Sequence, residues 1–431
     1  MTTPHIVIAG GGYVGMYSAL GLQRQLRKGE ARVSVIEPRS AMTYQPFLPE
    51  AAAGSLEPRH VVVPLRRTLK RCHVVTARVV AIDHAARCIR VEPVEGKPYD
   101  LAYDELVVAL GSVARTLPIP GLAQHGMGFK QIEEAIALRN HVLDRLDVAA
   151  SVPDSETRRS ALTFVFVGGG YAGVEALAEI EDMARFATRY YDSVSPDDLR
   201  FVLVEAADRI LPEVGPDMGR YTVDRLRERR IEVRLQTRLE SCVDRHVVLS
   251  DGEEFDAGTI VWTAGVKANP VLASSDLPLD DKGRLRATTD LRVEGLTGVW
   301  TAGDNSAVPD LTSPGELCSP SAQHAVRQAR VLAANVVRSL RGEPLKDYKH
   351  KHVGSVASLG LYKGVAQVYG VKLRGFPAWF MHRTYHMSRM PTFNKKVRVV
   401  LDWTLALFFQ RDVVSLGSLQ RARDDFDRAN T

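Results

Sequence analysis

Gly10-Gly-Gly-Tyr-Val-Gly15 follows the apolar run Ile6-Val-Ile8 and opens a helical pattern; Gly168-Gly-Gly-Tyr-Ala-Gly173 does the same behind Phe164-Val-Phe-Val167. Each strand must turn sharply, bring its backbone close to a pyrophosphate and pack a helix tightly, and glycine permits all three without a Cβ clash. The helix N-terminus then offers free N–H groups and a positive dipole end to the phosphates. A glycine turn alone can also be a plain strand-to-helix connector. What sets the first one apart is Val33-Ser-Val-Ile-Glu37, a strand pattern ending in a carboxylate 22 residues past Gly15, placed to hold a ribose hydroxyl pair.

The second copy repeats the pattern with Phe201-Val-Leu-Val-Glu205, 32 residues past Gly173. The extra length reads as one long helix from Val174 to Tyr191 and a Ser193/Ser195/Pro196 turn, which stretch the unit without breaking it. Glu205 would repel a 2′-phosphate, and Ala206-Ala207 offer no arginine to clamp one, so NADH is favoured over NADPH. The two turns lie 158 residues apart, which is a duplicated nucleotide domain and not a solenoid period.

The expected fold is α/β, with two Rossmann-like dinucleotide-binding domains and a C-terminal amphipathic region that associates with a membrane. The first unit closes with Leu106-Val-Val-Ala-Leu-Gly111, and Ala149 to Ser160 reads as a loop before the second. That second unit ends near Thr259-Ile-Val-Trp-Thr-Ala-Gly265. Gly298-Val-Trp-Thr-Ala-Gly-Asp304 is another short strand ending in Gly-Asp, and Ser319-Pro320 is a plausible N-cap and first-turn pair for a helix to about Leu340. The expected boundaries are 1–120 and 286–342 for the two parts of the first domain, 121–285 for the second, and 343–431 for the C-terminal region.

A chain of 431 residues with 45% hydrophobic content can build several domains with a large core. The first strand begins by His5, leaving no room for a signal peptide, and no apolar run approaches the ~18 residues of a spanning helix. Cys72, Cys88, Cys242 and Cys318 are far apart with no Cys-x-x-Cys pair, against zinc, an iron–sulfur cluster or a disulfide framework. No metal is expected, and a reducing cytoplasm fits.

Charge is unevenly spread. Residues 341–431 carry 16 Lys/Arg against 7 Asp/Glu, so the remainder of a chain of net charge +5 is slightly acidic. From Phe376 to Phe409 stand eight of the chain's 30 aromatics (Phe376, Trp379, Phe380, Tyr385, Phe393, Trp403, Phe408, Phe409), interleaved with Arg374, Arg383, Arg389, Lys395, Lys396 and Arg398. Rings with cations on short amphipathic helices suit the interfacial plane of a bilayer. The same stripe would serve a homodimer interface. No nucleic-acid-binding motif accompanies it, so nucleic acid is not expected as a partner.

On these motifs the chain resembles the flavoprotein reductases with two dinucleotide folds, over about 340 residues, the N-terminal fold for FAD and the inserted one for NAD(P)H. Gly173-Val-Glu175, Trp262-Thr-Ala-Gly-Val266, Ala322-Gln-His-Ala325, Arg327-Gln328 and the amphipathic tail are most similar to type II NADH dehydrogenases, the single-subunit NADH:quinone oxidoreductases. The resemblance implies an FAD site of Gly10, Gly12, Tyr13, Val14, Gly15, Glu37, Val79, Gly111, Asp304, Ala322 and Gln323, with Asp304 hydrogen-bonding the ribityl or phosphate portion. For NADH it implies Gly168, Gly170, Gly173, Glu205, Ala264 and Gly265.

Glu175 and Gln323 are the catalytic candidates by that resemblance: Glu175 to orient NADH and pass a proton to the quinone, Gln323 to border flavin and quinone. A helix-dipole carboxylate is the plainer reading of Glu175, and a packing residue that of His324. The implied activity is hydride transfer from NADH to FAD, then reduction of a membrane quinone without proton pumping, by a peripheral (monotopic) protein on the cytoplasmic face of the cell membrane. Relatives with a thiol relay carry cysteine in the stretch matching Pro38 to Pro49, which has none here. Cys318 alone could serve a sulfide-type acceptor, and a small buried thiol is the preferred reading. Two alternatives stay open: a soluble NADH reductase with a protein or sulfide-type acceptor, and a nucleotide-binding redox sensor.

Overall fold

The structure, a computed structural model, describes residues 3–351 and 354–415. The helices that carry the sites are α1 (Tyr13–Gln25), α2 (Leu48–Ala52), α3 (Ile132–Ser151), α4 (Tyr171–Ala187), α5 (Ala322–Leu340), α6 (Phe376–Arg389) and α7 (Phe393–Phe408). The chain divides into two compact units: 3–43, 62–113 and 266–351 form one; 44–61, 114–265 and 354–415 form the other.

The first unit is built on a five-stranded parallel sheet in the order Val299–Thr301, Glu105–Val108, His5–Ala9, Arg32–Ile36, His73–Val75. His5–Ala9 is buried along its whole length, as expected of a central parallel strand covered on both faces. On one face α1 lies against α5 so closely that a Cβ at Gly21 would stand 2.6 Å from the Ala333 methyl. The other face carries an antiparallel meander, Ala77–Asp83, Cys88–Pro93 and Tyr99–Ala102, whose Val79, Ile82 and Ile89 join Val7, Ala9 and Ile36 in one core.

The second unit repeats the plan with the order Gly126–Gly128, Thr259–Trp262, Thr163–Val167, Arg200–Val204, Ile231–Arg234. Helices α3 and α4 cover one face, where Leu138, Val142, Leu177 and Ile180 pack on Phe164 and Phe201. The rings of those two phenylalanines stack at 4.7 Å. A separate antiparallel sheet, Gly354–Ser358, Gly364–Val368 and Val371–Arg374, supports α6; Gly364 is glycine because a Cβ there would lie 2.7 Å from the Trp379 backbone nitrogen.

Several local expectations shift. Part of the Ala149–Ser160 stretch is helical: α3 runs to Ser151, and Asp154 caps a second short helix, Ser155–Ala161, by accepting the Thr157 N–H at 2.6 Å. The long helix after the second turn is α-helical only to Ala187, then tightens into a 3₁₀ turn, Thr188–Tyr190. The cap of α5 is Ser321, whose hydroxyl accepts the His324 N–H, so the helix starts two residues beyond the Ser319-Pro320 pair.

The compact units also cut across the expected limits 1–120, 121–285, 286–342 and 343–431. Residues 266–285 join the first unit because Leu272 and Leu277 complete the core around Val79 and Ile82. Residues 44–61 and 354–415 join the second because Leu48, Ala52, Ala357 and Val365 bury into its α3/α4 core. The last part of the expected C-terminal region, 416–431, lies outside the described residues.

Candidate functional site

In the first cradle, Gly10 has φ +108°, and a Cβ at Gly15 would come within 1.8 Å of the Gly10 carbonyl oxygen, so the turn and the start of α1 are pressed together. At Gly12 nothing lies within 4 Å of the Cβ position, which leaves the mouth of the helix open. Glu37 ends its strand as expected and accepts the Gly11 N–H at 2.7 Å. Burial pushes its carboxyl above the ordinary range, against the pull of that N–H.

The Gly111 N–H donates to Asn305 Oδ1 at 3.0 Å, and the Ser112 hydroxyl to Asp304 Oδ2 at 2.7 Å, fixing the Gly303–Asn305 turn beside the sheet end. Gly303 N–H in turn donates to Gln328 on α5 at 2.8 Å, which ties that turn to the helix whose first turn holds Ala322 and Gln323. A glycine turn, an open helix N-terminus and a strand-end carboxylate are the parts a dinucleotide's pyrophosphate and ribose require, and they are assembled here.

The second cradle matches it part for part. Gly168 has φ +114°, a Cβ at Gly173 would lie 1.9 Å from the Gly168 oxygen, and Gly170 is open. Glu205 accepts the Gly169 N–H at 2.5 Å and the Ala207 N–H at 2.7 Å. Thr263, just before Ala264 and Gly265, donates its hydroxyl to the Val167 carbonyl at 2.9 Å and closes the sheet end.

Beyond this cradle α4 carries a buried charged cluster. Glu175 Oε1 accepts the Ser358 N–H at 2.8 Å and lies 3.0 Å from His382 Nε2 on α6. One helical turn on, Glu179 accepts the Ser358 hydroxyl at 3.0 Å. Glu50 of α2 pairs with Arg383 at 2.9 Å and accepts the Trp403 indole N–H at 2.9 Å, while the Arg383 guanidinium is sandwiched between the Trp379 and Trp403 rings at 4.2 and 4.9 Å. Burial alone would lower the His382 pKa, but the surrounding carboxyl groups, Glu175 first and then Glu50 and Glu179, together hold it above the ordinary value. The neighbouring His386, half-buried and facing His382 at 4.6 Å between rings, is held well below it by its removal from water and by the His382 charge.

Residues 4–329 match the model of the pyridine nucleotide-disulphide oxidoreductases. A type II NADH:quinone oxidoreductase of Staphylococcus aureus (strain NCTC 8325 / PS 47) is 31% identical over 385 residues, covering 88% of this chain and 93% of the relative. The chain belongs to this oxidoreductase family, in its type II NADH:quinone branch. A probable NADH dehydrogenase of Dictyostelium discoideum is 28% identical over 419 residues, covering 95% of this chain and 91% of the relative. In fold the chain matches NDH2 of Plasmodium falciparum, solved in complex with NADH, with a TM-score of 0.88 at 18% identity, covering 96% of this chain and 100% of that one.

As a member of this type II branch, the chain keeps Glu37 and Glu205 at equivalent strand ends, each turned onto the middle of its own glycine turn. Gly10, Gly12, Tyr13, Val14, Gly15, Glu37, Gly111, Asp304, Ala322 and Gln323 all fall in the first unit, and Gly168, Gly170, Gly173, Glu175, Glu205, Ala264 and Gly265 in the second. Val79 is a core side chain of the first unit. His324 is buried and hydrogen-bonded through Nδ1 to the Tyr348 hydroxyl at 2.8 Å, a packing arrangement. Cys318 is buried with its thiol pushed up to about 11 by burial and by Asp310, a poor nucleophile.

Two tail residues differ from expectation. Trp379 and Arg383, read as facing lipid, point inward, because Glu50 supplies a buried counter-charge that the sequence pattern of α6 alone does not reveal. Sequence reasoning also missed Asn305, fully buried, which accepts from Gly111 and donates to the Val108 carbonyl at 3.1 Å. Its position directly after Asp304 was the available signal. Glu179, Ser358, His382 and Glu50 were missed as well.

Proposed function

We propose that the chain oxidises NADH through FAD and passes the electrons to a quinone, with FAD in the first cradle and NADH in the second. The observation that carries this is the doubled cradle with a strand-end carboxylate on each glycine turn, in a chain of the type II NADH:quinone family. When bound, the flavin supplies the two-electron step between a hydride donor and a quinone. The residues position the reactants: Gly10, Gly12 and Gly15 admit one pyrophosphate, Gly168, Gly170 and Gly173 the other, and Glu205 selects NADH by repelling a 2′-phosphate.

The overall reaction, NADH + H⁺ + quinone → NAD⁺ + quinol, consumes one proton beyond those NADH supplies. Glu175, held by Ser358 and His382, is the group that orients NADH and passes that proton on, and Gln323 borders the acceptor.

Association with a membrane surface, on the cytoplasmic face, is part of the same reading. Among the described residues no helix is long and apolar enough to cross a membrane. Helix α7 turns Val399, Asp402 and Trp403 inward and leaves Leu401, Leu405 and Phe408 exposed, Phe408 to 78%. An apolar face presented outward with Lys395, Lys396 and Arg398 on the same helix supports docking on an anionic interface.

The test is the visible spectrum of the purified protein, titrated anaerobically with NADH and then with a quinone. A flavin spectrum that bleaches with NADH and recovers with quinone supports the reading. Bleaching without recovery moves the acceptor to a protein partner or makes the chain a sensor, and a colourless protein that takes up no flavin overturns it.

A further inference from the structure

Glu179 has no part in either cradle, yet it is almost wholly buried on α4, where an unpaired carboxylate is costly. One residue links it to the site: Ser358 holds Glu175 with its backbone N–H and Glu179 with its hydroxyl, so two carboxyl groups a helical turn apart meet at a single serine. The surroundings are polar and shut off from solvent. Glu50, His382 and Arg383 are each less than a tenth exposed, and among the described residues Glu50 Oε1 and both His382 ring nitrogens make no hydrogen bond, the approach of Nε2 to Glu175 being a charge contact. Buried atoms of this kind are ordinarily satisfied by internal water.

We infer that Glu179 is the proton store of this site: its carboxyl group releases the proton that replenishes the Glu175–His382 pair after quinone reduction, and it is reprotonated from solvent. This rests on the quinone reading above. NADH brings two electrons and one proton as hydride, so one further proton per quinol must come from the protein, and Glu179-COOH becomes Glu179-COO⁻ in giving it. The groups facing Glu179 are Glu175 and Asp182 on its own helix, Glu50 from α2, His382 and Arg383 from α6, and Arg411 after α7. Burial first, then the Glu50 and Asp182 carboxylates, raise it to about 7, against the pull of Arg383 and Arg411. A buried carboxyl whose acid form is favoured in this way can hold a proton and yield it to a neighbouring base.

The test uses FAD-loaded full-length protein. Infrared titration of the carboxylic-acid C=O stretch should show a buried protonated carboxyl that disappears with rising pH around neutrality in the wild type and is absent from E179Q. In turnover, the ratio of the quinone rate to the ferricyanide rate, the latter acceptor taking up no proton, should fall about ten-fold in E179Q, with the pH dependence around neutrality flattened. S358A, which keeps the backbone N–H to Glu175 and removes the hydroxyl from Glu179, should shift the infrared band and lower the same ratio. A band that persists in E179Q, or a ratio and pH profile unchanged in both variants, overturns the assignment. Wild-type protein that bleaches with NADH but never reduces quinone would overturn the functional reading instead, while the infrared band still reports whether Glu179 holds a proton.

Discussion

His382 Nε2 lies 3.0 Å from Glu175 Oε1, so the carboxylate on the helix that starts at the second glycine turn is matched by an imidazole from the C-terminal helix pair. Each would be an isolated buried charge without the other. With the His382 pKa raised in the folded state, the pair's contribution is fully present below the unfolded value of about 6.5 and is lost as pH rises through the folded value. H382Q should therefore melt below wild type, by about 3 kcal/mol near pH 6, with the gap narrowing toward pH 9. Thermal melts across that range check it; a gap that is constant or widens with pH would show that His382 is uncharged at neutral pH.

The two cradles separate cleanly by mutation. A methyl at Gly15 meets the Gly10 oxygen at 1.8 Å, and one at Gly173 meets the Gly168 oxygen at 1.9 Å. G15A should cost flavin retention on purification by at least about ten-fold, whereas G173A should keep its flavin and raise KM for NADH by a similar factor. Flavin content and steady-state kinetics distinguish the two, and reversed effects would exchange the assignments.

Glu205 accepts two backbone N–H groups, and on the proposed reading its carboxylate also meets a ribose diol. E205A should weaken NADH by roughly ten- to a hundred-fold, the loss of one to three kcal/mol in a charge-assisted contact. NADPH should gain relative to NADH because the repulsion is gone. Measured kcat/KM for both nucleotides decides it.

Membrane docking is best tested on α7 by substitution, because deleting the tail would also remove Trp379, His382 and Arg383 from the core of the second unit. L401S, L405S and F408S together should weaken binding to anionic vesicles by at least about a thousand-fold, since each apolar side chain contributes about 1.5 kcal/mol or more on leaving water. Rising salt should weaken wild-type binding too. If instead the triple variant changes from dimer to monomer on a sizing column, the apolar face belongs to a second copy of the chain.

The two glycine turns and their strand-end acids were readable because the turn, the strand before it and the acid after it stand close together in sequence. The stretched second unit was readable for the same reason, since only the connector grew. The compact units were not, because each is assembled from three separate stretches, and Leu272 or Leu48 reveals its partners only in three dimensions. The charged cluster around Glu175 was hidden likewise. Its partner Ser358 is 183 positions away, and Arg383 in a basic, aromatic segment reads as a surface cation until Glu50 is found beneath it.

The Arg383 guanidinium, clasped by Trp379 and Trp403 over Glu50, also bears on how the molecule is made. Residues 44–61 are secured by α6 and α7, which come far later in the chain, so the second unit stays unfinished until those helices are made, and the first waits on residues 266–351. The first unit is therefore complete while the last piece of the second is still to be made, and a chain cut before α6 lacks the helices that cover Glu50.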